Sequence, residues 1–374
     1  MADDRLHMMR ALALAERGMG KTAPNPMVGC VIVRGGAVVG EGWHAAAGAP
    51  HAEVRALDAA GGQARGSTAY VTLEPCNHHG RTPPCAEALL AAGIAEVVYG
   101  LADPNPVAAG GAAYLRERGV EVRSRVCEKE ARLLNRFWLH VIACDRPYVV
   151  AKFAASLDGK IATASGESKW ITGPEARARA HELRRRVDAI VVGASTVVAD
   201  DPALTARDGD NIIGQPLRVV LDSAGRTPPD AAAIGDNGRG SLLATTARTP
   251  PARLEAYRAL GTETLVLEAD RSGRPDVVQL MSALKERGVC GVMVEGGAEV
   301  LGSFFDAGLV DEVWAFIAPV IIGGAGKTPV AGLGSAILAN AFRLKDTETE
   351  HFGQDILVRG FVERAKEEPC SPAS

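Results

Sequence analysis

Three short stretches carry side chains suited to holding a metal. His51-Ala52-Glu53 opens a segment of helical patterning, Pro75-Cys76 follows a short β-like run, and Pro84-Cys85 opens a second helical segment. One imidazole and two thiolates fill three positions on tetrahedral zinc. The fourth is left to water, whose pKa the metal lowers toward ~7. The chemistry such a centre predicts is attack of the resulting hydroxide on an amidine-like ring carbon, with ammonia leaving. Glu53 lies two residues from His51, and side chains two apart do not share a helix face. It is therefore expected beside the water, shuttling protons, and not among the ligands. Cys85 stands at a helix start, where the helix dipole favours its thiolate.

His-x-Glu alone is a common helix turn, whereas two separate Pro-Cys pairs downstream of it are much rarer. A closed structural zinc site, with His78 or His79 as fourth ligand, is the chief alternative. Nucleobase deaminases pair H-x-E with P-C-x-x-C, but here eight residues separate Cys76 from Cys85. The inserted Asn77-His78-His79-Gly80-Arg81-Thr82-Pro83 is polar and basic. It reads either as a solvated loop or as a lid that contacts an anionic substrate.

A second set of residues lies further on. Lys152 to Lys160 reads Lys-Phe-Ala-Ala-Ser-Leu-Asp-Gly-Lys, followed by Ser165–Thr172 and Gly193–Arg207. Val294-Glu295-Gly296-Gly297-Ala298 joins a strand to a helix, a place where phosphate oxygens meet backbone N–H groups. It is not a G-x-G-x-x-G fingerprint, and a tight strand–helix turn explains it equally well. Trp170 suits stacking on a ring or a place in the core. Asp200-Asp201-Pro202 reads as a turn. Arg184, Arg185 and Arg186 read as a solvated helix face, one of which suits a phosphate. Gly323-Gly324-Ala325-Gly326-Lys327-Thr328 fails as a P-loop, because Ile321 stands where glycine is required and no helix is expected after Pro329.

The elements that must position these residues alternate. Helical patterning over 3–17, a hairpin of Val28–Val33 with Ala37–Trp43, a helix over His51–Ala60, a strand Thr68–Leu73, a helix Pro84–Ala92 and a strand Glu96–Leu101 come first. A further helix–strand pair and one helix over 128–143 lead to the polar turn Asp145-Arg146-Pro147. Beyond it the alternation resumes, with strands at Tyr148–Ala155, Ala189–Val192, Leu217–Leu221, Thr264–Leu267, Gly291–Glu295 and Glu312–Ile317, and helices over 174–186, 250–259, 276–287 and 298–307. The loop 225–240 is expected to be exposed, and the tail Ala365–Ser374 frayed. This predicts two α/β domains, 1–146 and 147–374. The length of 374 residues fits two domains, and 47% hydrophobic with 23% charged residues gives ample core. A net charge of −4 and 5% aromatics speak against a nucleic-acid partner. No apolar run approaches the ~18 residues needed to span a membrane. The charged start lacks the apolar stretch of a signal peptide. Seven cysteines without even spacing point to a reducing cytoplasm, with Cys30, Cys127, Cys144, Cys290 and Cys370 structural or incidental.

Asn25-Pro26-Met27-Val28-Gly29, His51-Ala52-Glu53 and the run from Thr72 to Cys85 closely resemble the bifunctional deaminase–reductase family of riboflavin biosynthesis, in which the loop between the cysteines is long. The second set resembles the reductase of the same family. The resemblance spans about residues 5 to 362 and weakens over 225–290. It implies a cytidine-deaminase-like three-layer domain followed by a domain similar to dihydrofolate reductase. It also implies zinc-dependent deamination of 2,5-diamino-6-ribosylamino-4(3H)-pyrimidinone 5′-phosphate, then NADPH-dependent reduction of ribosyl to ribityl. By matching motifs, Asn25 would contact the first substrate. Ala154, Trp170, Thr196, Asp200, Ser223, Gly297, Ala298, Glu299, Val300, Leu301, Gly302 and Ser303 would line the cofactor. Ser168, Arg184, Leu204, Arg207 and Glu295 would contact the second substrate, with Arg184 and Arg207 on its phosphate. The implied partners are small phosphorylated pyrimidines, with no nucleic acid and no membrane. A homo-oligomer is compatible with the sequence, which does not set the oligomeric state. Two other readings remain: a nucleoside or RNA deaminase with a C-terminal binding module, and a non-catalytic protein with structural zinc.

Overall fold

The computed structural model describes residues 2–79, 83–235 and 239–363. The chain divides into two units, Met1–Ala143 and Cys144–Ser374.

The first unit runs α1 (Ala2–Ala15), β1 (Gly29–Arg34), β2 (Ala37–Trp43), α2 (Ala52–Ala60), β3 (Thr68–Leu73), α3 (Cys85–Ala91), β4 (Glu96–Leu101), α4 (Gly111–Arg116), β5 (Glu121–Arg123), α5 (Glu128–Leu134) and α6 (Arg136–Cys144). Its sheet has the order β2-β1-β3-β4-β5. β1 pairs antiparallel with β2 and β3, while β3, β4 and β5 run parallel. The apolar runs of β1, β3 and β4 are buried almost throughout, as expected of strands covered on both faces. Helix α2 lies on β2 at unusually close range. A Cβ on Gly42 would stand 2.3 Å from the Ala52 carbonyl oxygen, and one on Gly40 2.3 Å from that of Ala56. The two glycines thus set the distance at which α2, and the residues at its start, meet the sheet.

The single helix expected over 128–143 is two, broken at Asn135. That side chain turns inward, only 2% exposed, and hydrogen-bonds backbone elsewhere in the unit. An Asn that satisfies distant backbone groups competes with continuation of its own helix.

The second unit runs β6 (Tyr148–Ser156), α7 (Pro174–Arg186), β7 (Ala189–Gly193), α8 (Ala194–Asp200), β8 (Ala206–Asp208), β9 (Asn211–Gly214), β10 (Leu217–Leu221), β11 (Ser241–Thr245), α9 (Pro251–Ala259), β12 (Thr262–Val266), α10 (Val277–Glu286), β13 (Gly291–Glu295), α11 (Ala298–Asp306), β14 (Glu312–Ala318), β15 (Leu344–Phe352) and β16 (Asp355–Val362). The main sheet has the order β12-β11-β10-β7-β13-β6-β14-β16-β15. Pairing is parallel from β12 through β14 and antiparallel over β14-β16-β15.

Sequence patterning missed α8, the β8–β9 hairpin, β11, β15 and β16. β15 reads Leu-Lys-Asp-Thr-Glu-Thr-Glu-His-Phe and is mostly exposed. Its charges suit an edge strand, where they oppose pairing with another chain, and they hide the strand from a hydrophobic-pattern reading. The stretch 225–240, expected to be exposed, is partly core. Ala233 is fully buried and Ile234 nearly so. The buried Arg218 guanidinium draws this stretch in by donating to the carbonyls of Ala232 at 2.9 Å and Gly235 at 2.6 Å. After β14 no helix follows the Gly323–Thr328 stretch until a short 3₁₀ turn at Leu338–Asn340, in keeping with rejection of a P-loop.

Cys30, Cys76, Cys85, Cys127 and Cys290 are free. Cys144 is disulfide-bonded, which fits a structural role but corrects the expectation that the cysteines form no disulfide. The expected frayed tail at 365–374, and Gly80, Arg81 and Thr82 of the inserted loop, lie outside the described residues. No helix among the described residues is long and apolar enough to cross a membrane.

Candidate active sites

In the first unit β3 ends where the chain turns through Pro75-Cys76, and Cys85 begins α3. His51 immediately precedes α2 in an extended conformation, with φ −69° and ψ 162°. The imidazole therefore leaves the chain before the helix starts, and Glu53 follows from the first turn. The ligand atoms of His51, Cys76 and Cys85 lie within 4.8 Å of one another. His51 Nδ1 is 3.2 Å from Cys85 Sγ and 3.6 Å from Cys76 Sγ. Zn–N near ~2.0 Å and Zn–S near ~2.3 Å at tetrahedral angles require N···S edges of about 3.5 Å, so the donor set fits zinc. Among the described residues no fourth His, Cys, Asp or Glu joins this cluster. His79 instead faces Glu87 at 3.4 Å. The geometry therefore favours an open centre over the closed structural alternative.

Glu53 is 3% exposed. Burial, and then the negative charge of Cys76, push its carboxyl up to about 7. A hydrogen bond from Cys85, against the cost of burial, brings the Cys76 thiol down to about 4, while the Cys85 thiol is raised. Of the two sulfurs Cys76 is the more acidic, because it accepts the hydrogen bond that Cys85 donates.

Asn25 reaches this region through His44. Its Nδ2 lies 3.3 Å from His44 Nε2, and His44 Nδ1 lies 3.3 Å from the Pro50 carbonyl oxygen. The His44 ring stands edge-on to His51, 5.6 Å between centroids. Burial lowers the pKa of His44, so it stays neutral. Glu74, next to Pro75-Cys76, accepts hydrogen bonds from the backbone N–H groups of Asp103, Gly110 and Ala112. Neither His44 nor Glu74 was singled out from the sequence. The only local signal was that Glu74 adjoins Pro75-Cys76.

The second unit contains a cleft of about 1010 Å³. It gathers Ala154, Trp170, Thr196, Asp200, Ser223, Gly297, Ala298, Glu299, Val300, Leu301 and Ser303, together with Ser168, Arg184, Leu204, Arg207 and Glu295. Gly302 is the exception, since it faces the Ala331 carbonyl and not the cleft. Gly296 and Gly297 have φ of 123° and 81° and lead into α11, whose start has no side-chain cap. A Cβ on Gly297 would come within 3.3 Å of Thr196 Oγ1. Positive φ and the confined space both call for glycine here, and the uncapped N–H groups suit phosphate oxygens. The cleft therefore fits a phosphorylated dinucleotide.

Glu295 sits at the cleft between two cations. Lys152 Nζ is 2.7 Å from Oε1, and the Arg184 guanidinium meets Oε2 through Nη2 at 2.8 Å and Nε at 2.9 Å. Burial alone would raise this carboxyl, but Arg184 and then Lys152 outweigh it and bring it to about 2. Nη1 of Arg184 donates to the Thr205 carbonyl, so all three guanidinium nitrogens are engaged. Arg207 Nε donates to Thr205 Oγ1 at 3.0 Å, and no carboxylate pairs with Arg207 among the described residues. Ser168 Oγ donates to Asp200 at 3.3 Å. Trp170 is 71% exposed, which removes the core alternative, and the Arg177 guanidinium lies 4.4 Å from its ring centroid. Lys152 was part of a quoted motif without an assigned role, because its partner Glu295 lies far along the chain.

Comparison with known proteins yields matches along nearly the whole chain. Residues 1–101 match the cytidine and deoxycytidylate deaminase zinc-binding region, and residues 147–358 match the RibD C-terminal domain. The riboflavin biosynthesis protein RibD of Actinobacillus pleuropneumoniae is 44% identical, over 94% of this chain and 93% of that protein. That of Escherichia coli K12 is 43% identical, over 94% and 98%. Among solved structures, Acinetobacter baumannii RibD superposes with a TM-score of 0.86 at 39% identity, covering 97% of this chain and 99% of that one. A Thermotoga maritima diaminohydroxyphosphoribosylaminopyrimidine deaminase/5-amino-6-(5-phosphoribosylamino)uracil reductase gives 0.81 at 34% identity, covering 96% and 99%.

Proposed function

Because this chain belongs to the RibD family, the bifunctional zinc-dependent deaminases and NADPH-dependent reductases of riboflavin biosynthesis, we propose a division of labour in which residues 1–146 deaminate 2,5-diamino-6-ribosylamino-4(3H)-pyrimidinone 5′-phosphate and residues 147–374 reduce the ribosyl group of the product to ribityl. The observation that carries the deaminase half is the cluster of His51, Cys76 and Cys85 beside the buried carboxyl of Glu53. Zinc, when bound there, supplies the Lewis acidity that makes water a nucleophile near neutral pH. Glu53, buried beside the cluster, would take the proton from that water and deliver it to the leaving nitrogen, the work of a positioned general acid–base. Neutral His44 holds the Asn25 carboxamide toward the substrate.

In the reductase half NADPH supplies the hydride. The backbone N–H groups at Gly297 and Ala298 would hold its phosphates, and Trp170 offers an exposed ring face at the cleft. Arg207 takes the 5′-phosphate of the substrate, since a guanidinium binds phosphate in a bidentate way. Arg184 is occupied by Glu295, so its part is to keep that carboxylate ionised and aimed alongside Lys152. A cytoplasmic location goes with this reading: Cys76 and Cys85 are free thiols, a state that a reducing compartment preserves, and the disulfide of Cys144 is the exception. The test is incubation of the full chain with the diaminopyrimidinone phosphate, with and without NADPH, followed by mass spectrometry. The expected result is a deaminated product alone without NADPH, and a deaminated and reduced product with it. Absence of deamination, or reduction unaffected by omitting NADPH, overturns the reading.

A further inference from the structure

The segment that carries Asn25 belongs to neither a helix nor a strand. It runs Pro24-Asn25-Pro26-Met27-Val28 before β1 begins at Gly29. The two prolines have no N–H to donate. At its edges Asn25 N donates to the Thr22 carbonyl at 2.7 Å, and the Val28 carbonyl accepts from His44 N at 2.9 Å. Between these anchors the peptide groups of Met27 are held by one side chain. Met27 N donates to Asn135 Oδ1 at 2.8 Å, and Asn135 Nδ2 donates to the Met27 carbonyl at 2.9 Å. A carboxamide thus reproduces the paired bonds that a neighbouring strand would give. Asn135 comes from 108 residues further along the chain and is 2% exposed. It occupies the break between α5 and α6, closing the end of α5 while its carbonyl accepts from Leu139 N at 2.9 Å.

We propose that Asn135 is a positioning residue for deamination: its two hydrogen bonds to Met27 fix the Asn25-Pro26-Met27 segment, and through it the Asn25 carboxamide, against His44 at the mouth of the metal site. The chemistry requires an amide at this position. The carboxylate of Asp would keep the bond from Met27 N but set a negative oxygen against the Met27 carbonyl, while Ala would lose both bonds. Asn135 touches neither the metal ligands nor Glu53, so it acts on substrate placement and not on zinc affinity. The inference rests on the assignment of Asn25 to the substrate.

The test uses full-length, zinc-loaded protein in wild-type form and as Asn25→Ala, Asn135→Ala, Asn135→Asp and the Asn25→Ala/Asn135→Ala pair. Deaminase kcat and KM, zinc per chain, and NADPH-dependent reduction of separately supplied deaminated intermediate are measured on each. A reacting group misplaced by about 1 Å costs on the order of 10²-fold, so Asn135→Ala should lower deaminase kcat/KM by about that factor, chiefly through KM. Zinc content and reductase turnover should stay unchanged. The double variant should be no worse than the poorer single one, because both changes remove the same contact. If Asn135→Ala does not fold, Asn135→Asp carries the test with the same expected pattern. Asn25→Ala impaired with both Asn135 variants unimpaired overturns the clamp alone. Asn25→Ala unimpaired overturns the substrate assignment and the route by which Asn135 acts. Loss of zinc, or additive losses in the double variant, overturns a positioning role in favour of general stability.

Discussion

The substitution Gly42→Ala should disable the zinc site without touching any residue in it. A Cβ at position 42 would stand 2.3 Å from the Ala52 carbonyl oxygen and 2.5 Å from Ala56 N. Ordinary C···O contact begins near ~3.3 Å, so α2 must retreat from β2 by about 1 Å. The obstructing atoms are helix backbone and cannot rotate aside. His51 directly precedes that helix and Glu53 is in its first turn, so both move with it. Metal sites tolerate about ±0.2 Å in ligand distance, and the N···S spacings of 3.2 and 3.6 Å have no slack for a shift several times larger. Zinc per chain by elemental analysis should fall well below one, and ammonia release should drop by at least about 10²-fold. Reduction of supplied deaminated intermediate by the same protein should be unchanged. Gly62→Ala is the matched control, since nothing lies within 4 Å of its added Cβ. A Gly42→Ala protein with a full zinc complement and wild-type deamination would refute the argument that this glycine sets the helix–sheet distance.

Glu53→Gln should retain zinc yet lose roughly 10²–10⁴-fold in deamination, the range attributed to positioned acid–base catalysis; near wild-type ammonia release would sink the assigned role. Arg207→Ala should raise the reductase KM for the phosphorylated intermediate more than for its dephosphorylated analogue, and equal effects on both would rule out phosphate contact. Arg146 makes two hydrogen bonds to Asp311, at 2.7 and 2.8 Å, with side chains only 15% and 7% exposed. A reductase fragment begun at residue 147 should therefore be less stable than one begun at 144, by about 3–5 kcal/mol in urea unfolding; equal midpoints would contradict this. Glu295 has a folded-state carboxyl at about 2, below its ordinary 4.5. Its contribution to stability is thus complete above about pH 4.5 and disappears as pH falls toward 2. Glu295→Gln should flatten that part of the acid-unfolding profile, and an unchanged profile would argue against the ion-paired state.

The chemistry of the first site was legible because zinc fixes both residue types and approximate order. His51, Glu53, Cys76 and Cys85 lie within a span of 35 residues and carry their own punctuation of helix starts and prolines. The central strands were legible for a similar reason, since β3, β4, β7, β10 and β13 are buried apolar runs with few alternatives. The edge strand β15 was not, because its exposed face is charged and its place is set by pairing with β16. The helix break at Asn135 and the inward draw of Ala233 and Ile234 were hidden as well. Each depends on one polar side chain, Asn135 or Arg218, finding backbone partners that no local pattern announces. The second site divides along the same line. The Gly296-Gly297 turn was visible in sequence as a phosphate-compatible junction, but equally as a plain turn; only the tertiary structure places it on the wall of the cleft. The engagement of Arg184 by Glu295, with no carboxylate on Arg207 among the described residues, is a matter of tertiary structure alone. Sequence supplies the charges, but only the packing of α7 against β13 decides that Arg184 is the cation neutralised by Glu295.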